Sequence, residues 1–412
     1  MSIHRLEARE HRALGVPALA SATTLAAGAA AGIDDAKDGE RPVLTPQVID
    51  GLPGFLALEP EWRELQRRDA SGNPFLTWEW VSEWARCFWD GAVTTVVVRS
   101  PSGLVAAAPF HRRRPRWTEL RARHQVLMGP RGLRSLMELG TALVDPEAPP
   151  AVLRLIVECA LERDGLDWIE LCAQGDEIER WSEALATSTY RRAIEERVMT
   201  PVMALAADWS QLRARLRRNV KEAIRRSYNA PRRDGLALTY RECRQPAEVL
   251  DGVLDVFYDL HRARSLRPGP PRHLDHFSSQ ARRDFLHRVT RRLAEARAVT
   301  VSVVSLGDEP VATRINFEVD GTVYFYYSGF DPALWSYSVM TYGVTEAIKS
   351  AMTRGQRVIS FSPGVDQSKA RWDVDYIPLV RFSVVRPTPA ARLRFAVVRA
   401  LRQAKLHATR TR

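Results

Sequence analysis

The chain has only four cysteines in 412 residues, Cys87, Cys159, Cys172 and Cys243, with no CxxC pair and no zinc-ligand spacing. This excludes a disulfide scaffold and a structural zinc site. Buried free thiols are the expected role, which suits a reducing, cytoplasmic setting. No stretch is long and apolar enough to cross a bilayer as a helix. The nine histidines include no HExxH and no cluster at metal-ligand spacing; no metal is expected. His111, His261, His273, His276 and His287 are expected on surfaces or at helix ends. A Walker A loop, a GxGxxG turn and a GxSxG elbow are also missing, which argues against the chemistries those motifs carry.

What is present in excess is positive charge. The formal net charge is +11, with 45% hydrophobic and 26% charged residues, within the ordinary range for a globular protein. Such a balance favours anionic partners: phosphate-bearing cofactors, nucleic acid, anionic lipid or acidic sugars. Arginine far outnumbers lysine. That suits planar, bidentate recognition of phosphate or carboxylate, although a GC-rich genome produces the same bias.

The length implies two domains. Residues 1–45 read as an unstructured leader. Arg5, Arg9 and Arg12 precede a weakly apolar stretch, but Glu7, Glu10 and Pro17 interrupt it and Ala, Gly, Ser and Thr dominate it. Thr77 is placed to cap a Trp-rich helix running to Trp89. Val93–Arg99 and Leu104–Phe110 flank the turn Pro101-Ser102-Gly103 as a hairpin. A second hairpin, 298–304 with 310–317, turns through Gly307-Asp308-Glu309. Each hairpin is followed downstream by a helix and a strand, 151–163 then 168–171, and 339–353 then 358–361. The repeated order implies duplicated domains over 46–200 and 201–385. Leu212, Leu216, Val220 and Ile224 give one apolar stripe on a basic helix. Residues 386–412 form a basic tail without acidic residues, with Leu393, Phe395, Val397, Val398 and Leu401 as an amphipathic stripe.

Asn73-Pro74-Phe75-Leu76, Val105–Phe110, Arg217-Arg218-Asn219-Val220 and Tyr324–Pro332 with Tyr337-Ser338 and Lys369–Trp372 stand in a particular order. In that order they resemble the BioF2-like branch of GNAT acetyltransferases, related to the FemAB transferases and associated with cellulose and exopolysaccharide biosynthesis. The resemblance covers roughly residues 50–385. It implies an α/β fold of tandem GNAT-like domains, each a mixed sheet flanked by helices. It also implies transfer of an acyl group, acetyl among the candidates, from acyl-CoA to an amine. The superfamily's Gly-rich donor loop is absent; Trp335–Met340 stands in its place. No long heptad hairpin of the kind tRNA-dependent FemAB enzymes carry is visible.

Acyl transfer from a thioester needs a phosphate anchor, a donor to the thioester oxygen and a proton acceptor for the amine. The anchor is expected where Ser338, Val339, Met340 and Thr341 enter a helix, with Ser338 serving either there or as a cap. Lys369 and Arg371 would hold a phosphate or an acceptor carboxylate, or lie on a solvated loop. Tyr326, Asn316 and Asp331 are the catalytic candidates. Tyr326 would protonate a leaving thiolate or pack on the sheet; Asp331 would contact the amine or cap an Asx turn. Arg314, Tyr324, Trp372, Arg217 and Asn219 are the substrate-binding candidates. Strand alternation puts Tyr324 and Tyr326 on one face and Tyr327 on the other. The expected acceptor is a sugar, lipid-linked or cell-envelope amine. The basic tail would touch anionic membrane, and nucleic acid is not expected. A non-catalytic binding protein of envelope polysaccharide machinery and an aminoacyl-tRNA-dependent transferase are the competing readings.

Overall fold

A computed structural model describes residues 43–410 apart from 70, 89–92, 114–121, 128–135, 164, 251, 268 and 270–272. The expected leader thus lies almost wholly outside the described residues. The first half contains β1 (Thr45–Asp50), α1 (Gly51–Leu56), α2 (Glu59–Arg68), α3 (Trp78–Phe88), β2 (Val93–Ser100), β3 (Gly103–Arg113) and β4 (His124–Leu127). It continues with β5 (Leu143–Val144), α4 (Ala151–Arg163), β6 (Trp168–Gln174), α5 (Glu177–Ala184) and β7 (Arg191–Ala204). The second half runs α6 (Trp209–Arg215), α7 (Arg218–Arg233), β8 (Leu238–Cys243), α8 (Pro246–Leu250), α9 (Val253–Ser265), α10 (Gln280–Glu295), β9 (Val299–Leu306) and β10 (Glu309–Val319). β11 (Thr322–Phe330), α11 (Val339–Thr353), β12 (Val358–Ser360), α12 (Gln367–Ala370), β13 (Asp375–Val385) and α13 (Pro389–Arg410) complete it.

The expected hairpins form, β2 with β3 and β9 with β10. β-branched runs favour the pleated, half-buried surface of a sheet. The two halves do not keep separate sheets. One mixed 13-stranded sheet runs in the order β1-β2-β3-β4-β6-β13-β7-β12-β11-β10-β9-β8, with β5 beside β3. β7 leaves the first half to pair with β12, and β13 leaves the second half to pair with β6. β7 and β13 also pair with each other. The junction expected at Thr200-Pro201 therefore falls inside a strand, where Thr200 and Pro201 face Ile377 and Tyr376.

The helix that follows each exchanged strand covers the sheet its strand has joined. Phe395 and Val398 of α13 pack with Trp168, Ala193 and Val385. The stripe Leu212, Leu216, Val220 and Ile224 packs on Met203, Ile359 and the α11 residues Val344, Ala347 and Ile348. That stripe sits on two helices rather than one, because Leu216 and Arg217 are extended between α6 and α7. In α13, Leu393 and Leu401 are exposed, so the tail's core is narrower than its apolar sequence. Thr77 does cap α3, its Oγ1 accepting from the Trp80 N–H. The cores of the two halves meet in one aromatic cluster. Phe75 lies edge-on to Tyr324 at 5.4 Å, and Trp80 lies edge-on to Phe317 at 5.4 Å and to Phe285 at 5.2 Å. Truncating a buried ring of this size costs about 3–5 kcal/mol.

Candidate active site

β11 and β12 run parallel only from Thr322–Tyr324 against Val358–Ser360. The ladder ends there, where β12 ends, and β11 then bulges: between the pairs Arg314–Ser328 and Asn316–Phe325, β11 holds one residue more than β10. A bulge bends its strand and re-aims side chains. It also overturns the simple alternation expected here. Tyr326 and Tyr327 turn to the same side with ring centroids 4.5 Å apart, and Tyr327 packs on His261, His276 and Phe277. α9 can approach β11 this closely because residue 329 is glycine; a Cβ there would fall 2.4 Å from the His261 nitrogen.

The chain after β12 returns to the first turn of α11, where Arg371 meets Thr341. Ser338 is left-handed (φ 55) and makes no side-chain cap. No acidic residue lies in that turn. The leading N–H groups and the positive end of the helix dipole are therefore uncompensated, which favours an anion. Ser338, Val339, Met340 and Thr341 stand together there, as expected. Arg371 joins them, its Nη2 donating to Thr341 Oγ1 at 3.3 Å, while its Nε has no partner among the described residues. The Lys369 ammonium is turned inward, donating to the carbonyls of Ser362, Pro363 and Gly364 at 3.1–3.2 Å and to Ser362 Oγ. It props the loop that leaves β12, with Ser362 in a left-handed conformation (φ 61).

The first half contributes to this site through residues 136–141. Tyr324 donates its hydroxyl proton to Glu138 Oε2, and Tyr326 donates to the Leu136 carbonyl at 2.7 Å. Asn73 ties the segment down through Leu139 and Thr141. Glu138 is enclosed by protein yet keeps part of its surface open. Burial lifts its carboxyl to about 7, against the Tyr324 hydrogen bond and the charges of Lys369 and Arg381, which lower it. A carboxyl poised near neutrality in a cleft is suited to proton transfer. Sequence reasoning missed Glu138, because nothing local marks a lone glutamate between Met137 and Leu139.

Several expected residues take other roles. The Tyr326 hydroxyl proton is committed to a backbone carbonyl and its ring lies in the aromatic core, which removes it as the acid for a leaving thiolate. Asp331 caps the short turn Pro332–Tyr337 by accepting from the Ala333 N–H at 2.8 Å. Trp372 stacks on Phe361 within the α7–α11 core. Arg217 and Asn219 lie exposed at the start of α7, where the preceding chain turns outward. Asn316 is buried and its Oδ1 has no partner among the described residues. Arg314 is held over the Phe325 ring at 4.8 Å. His261 and His111 are buried, not superficial; His261 Nδ1 lies 3.1 Å from the Ser328 carbonyl, because Gly329 lets α9 sink onto the strand.

Residues 214–370 match the acetyltransferase (GNAT) domain family. No curated protein matches the sequence significantly. Among solved structures, FemX superposes with a TM-score of 0.55 at 10% identity, covering 81% of this chain and 98% of that one. A conserved protein of unknown function from Bacteroides thetaiotaomicron gives 0.51 at 10% identity, covering 79% and 97%. The C-terminal domain of a putative lysylphosphatidylglycerol synthetase from Agrobacterium fabrum gives 0.50 at 14% identity, covering 83% and 94%. At these identities the likeness is one of fold.

Proposed function

With an acetyltransferase (GNAT) domain in its second half, the chain is an acyltransferase, and we propose that it moves an acyl group from acyl-CoA to an amine. The observation that carries this reading is the first turn of α11, without a side-chain cap and beside Arg371. The Arg371 Nε, unpartnered among the described residues, and the N–H groups of Val339 and Met340 fit the phosphates of such a donor. Bound there, the donor supplies a thioester, an acyl carbon open to attack by nitrogen. Val339, Met340, Thr341 and Arg371 hold the phosphates. Glu138 takes the proton that the acceptor nitrogen sheds as the C–N bond forms and the C–S bond breaks. Tyr324 keeps that carboxylate in place.

The acceptor is an amine on a sugar, lipid-linked or cell-envelope precursor, acetyl being one candidate acyl group and exopolysaccharide synthesis one setting. That assignment follows the sequence resemblance. Exposed Leu393 and Leu401 among the arginines of α13 suit contact with anionic membrane at the cytoplasmic face. The exposed arginines of α6, α7 and the link between them, among them Arg213, Arg217, Arg225 and Arg226, favour a second reading in which the donor is carried on RNA. Binding would then weaken steeply with salt.

Isothermal titration with acetyl-CoA and longer acyl-CoAs tests the first reading. Saturable binding that weakens in Arg371→Ala is expected. Folded protein that binds no acyl-CoA would sink it.

A further inference from the structure

Three cationic side chains from three elements lie near one another at β10, β11 and the loop after β12. None makes ion-pair contact with a carboxylate among the described residues, and Asp366 is the acid they share at longer range. Arg264 of α9 donates to the Ser328 Oγ at 2.9 Å and to its carbonyl at 3.3 Å, its Nη2 lies 3.3 Å from His273 Nε2, and its Nε has no partner among the described residues. Arg314 of β10 has no hydrogen bond or ion pair among the described residues, only the Phe325 face. Lys369 of α12 meets carbonyl and hydroxyl oxygens alone. The three feel one another. Burial and then the Arg264 charge lower Arg314 to about 10, with Tyr240 and Asp366 opposing. Burial lowers Lys369 as well, with Arg314 and Arg264 adding to it and Glu138 and Asp366 opposing.

Several partly buried arginines elsewhere do meet acids, although others, such as Arg180 and Arg386, meet carbonyls. Arg244 and Arg354 share Glu318, Arg394 holds Asp167, Arg402 holds Glu170 and Arg381 holds Glu196. Like charges gathered in a low-dielectric cleft are unfavourable until a counter-charge arrives. Asn316 adds a second observation: two residues along β10 from Arg314, on the same face, its buried Oδ1 awaits a donor.

We propose that Arg264, Arg314 and Lys369 bind an anionic group, carboxylate or phosphate, that belongs to the acceptor, with Asn316 accepting from an N–H or O–H of the same molecule. The assignment rests on the acyl-CoA reading above, which gives the donor's phosphates to the α11 first turn and Arg371. The trio is built differently. Arg264 comes from α9, the helix that sets His261 against Tyr327, while Arg314 lies over Phe325 on the α11 face, so the trio reaches from one side of the sheet to the other. The acceptor is therefore an amine that also carries a negative charge.

The test is isothermal titration of the full chain with sodium phosphate and, separately, sodium acetate, at constant ionic strength in chloride, with and without saturating coenzyme A. Saturable binding of one anion, undisturbed by coenzyme A and weakened at least about tenfold in Arg314→Met, is expected; tenfold is about 1.4 kcal/mol. Arg264→Gln is the second variant and is expected to weaken it likewise. Without ligand, Arg314→Met should melt no lower than the parent, because a repelled charge is removed; a purely structural arginine would give the opposite. No saturable binding beyond the chloride control overturns the proposal. So does anion binding that coenzyme A abolishes, since the cations would then serve the donor. Anion binding without coenzyme A binding sinks the acyl-CoA reading and leaves the anion site standing.

Discussion

The two halves repeat one order of elements around a short parallel pair, β4 with β6 in the first and β11 with β12 in the second. They differ in what fills the gap. In the first half His124 and Glu170, both buried, lie on the pair, His124 stacks on Trp168 at 4.5 Å, and Arg402 reaches in from α13 to bond Glu170 at 2.9 Å. The helix after its inner strand begins with the acids Glu177 and Glu179. Its α4 is preceded by Pro149 and Pro150, which have no N–H to offer a ligand. In the second half β11 bulges beyond the pair, the helix start has no side-chain cap, and the nearby cations make no ion-pair contact among the described residues. A closed ion pair consolidates one half, while unspent charge equips the other. The same scaffold serves stability at one end and chemistry at the other.

The comparison can be broken by experiment. The largest effect is expected at Glu138. Glu138→Gln should lower the acyl-transfer rate by about 10²–10⁴, the usual range for a general base. In the parent the rate should rise with pH through about 7, where burial holds this carboxyl, and the rise should vanish in the variant. Stability gives an independent check of sign. The folded carboxyl keeps its proton up to about 7, whereas an unperturbed one releases it near 4.5. The stability it contributes is therefore full below 4.5 and lost as pH climbs to 7. Chemical denaturation should show Glu138→Gln gaining on the parent across that window.

Next comes the closed half. Arg402→Ala removes a cation from the buried Glu170 and should cost up to about 3–5 kcal/mol in denaturant unfolding, with acyl-CoA affinity unchanged once folded. Arg371→Ala should do the reverse, weakening acyl-CoA by about 1.5–3 kcal/mol, the worth of a charged hydrogen bond, with little change in the melting profile. If Arg180→Ala beside α4 weakened the donor equally, the claimed asymmetry between halves would fail. The smallest effects are expected at Arg217→Ala and Asn219→Ala on the exposed start of α7, each within about 0.5 kcal/mol in stability and donor affinity.

Much of the scaffold was legible because periodicity is a local property. The hairpins, α4 over 151–163 and α11 over 339–353 follow from β-branched runs and helical spacing. So does the apolar stripe on α6 and α7. The first-turn residues of α11 and the neighbouring Arg371 could be anticipated together, since a short chain separation joins them. Three things had no local signal. The bulge at Tyr326–Tyr327 is an insertion relative to β10, visible only when the strands are paired. The partner of Tyr324 lies 186 residues away in sequence. The exchange of β7 and β13 depends on which edge each strand finds, and its own residues do not record that. Asp331 and Tyr326 looked catalytic because turn and aromatic residues resemble site residues when their partners are unseen.

The exchange of strands also sets a timetable for the growing chain. β6 can find its neighbour β13 only after residues 375–385 have been made, when nearly all of the second half is already synthesised. Until then the first sheet has an unpaired inner edge, exposed backbone that other chains could pair with. Its closing contacts span some two hundred residues, the kind of long-range pairing that folds slowly. Neither half is a self-sufficient folding unit, and a ribosome stalled late in the gene would release a protein with its first sheet still open.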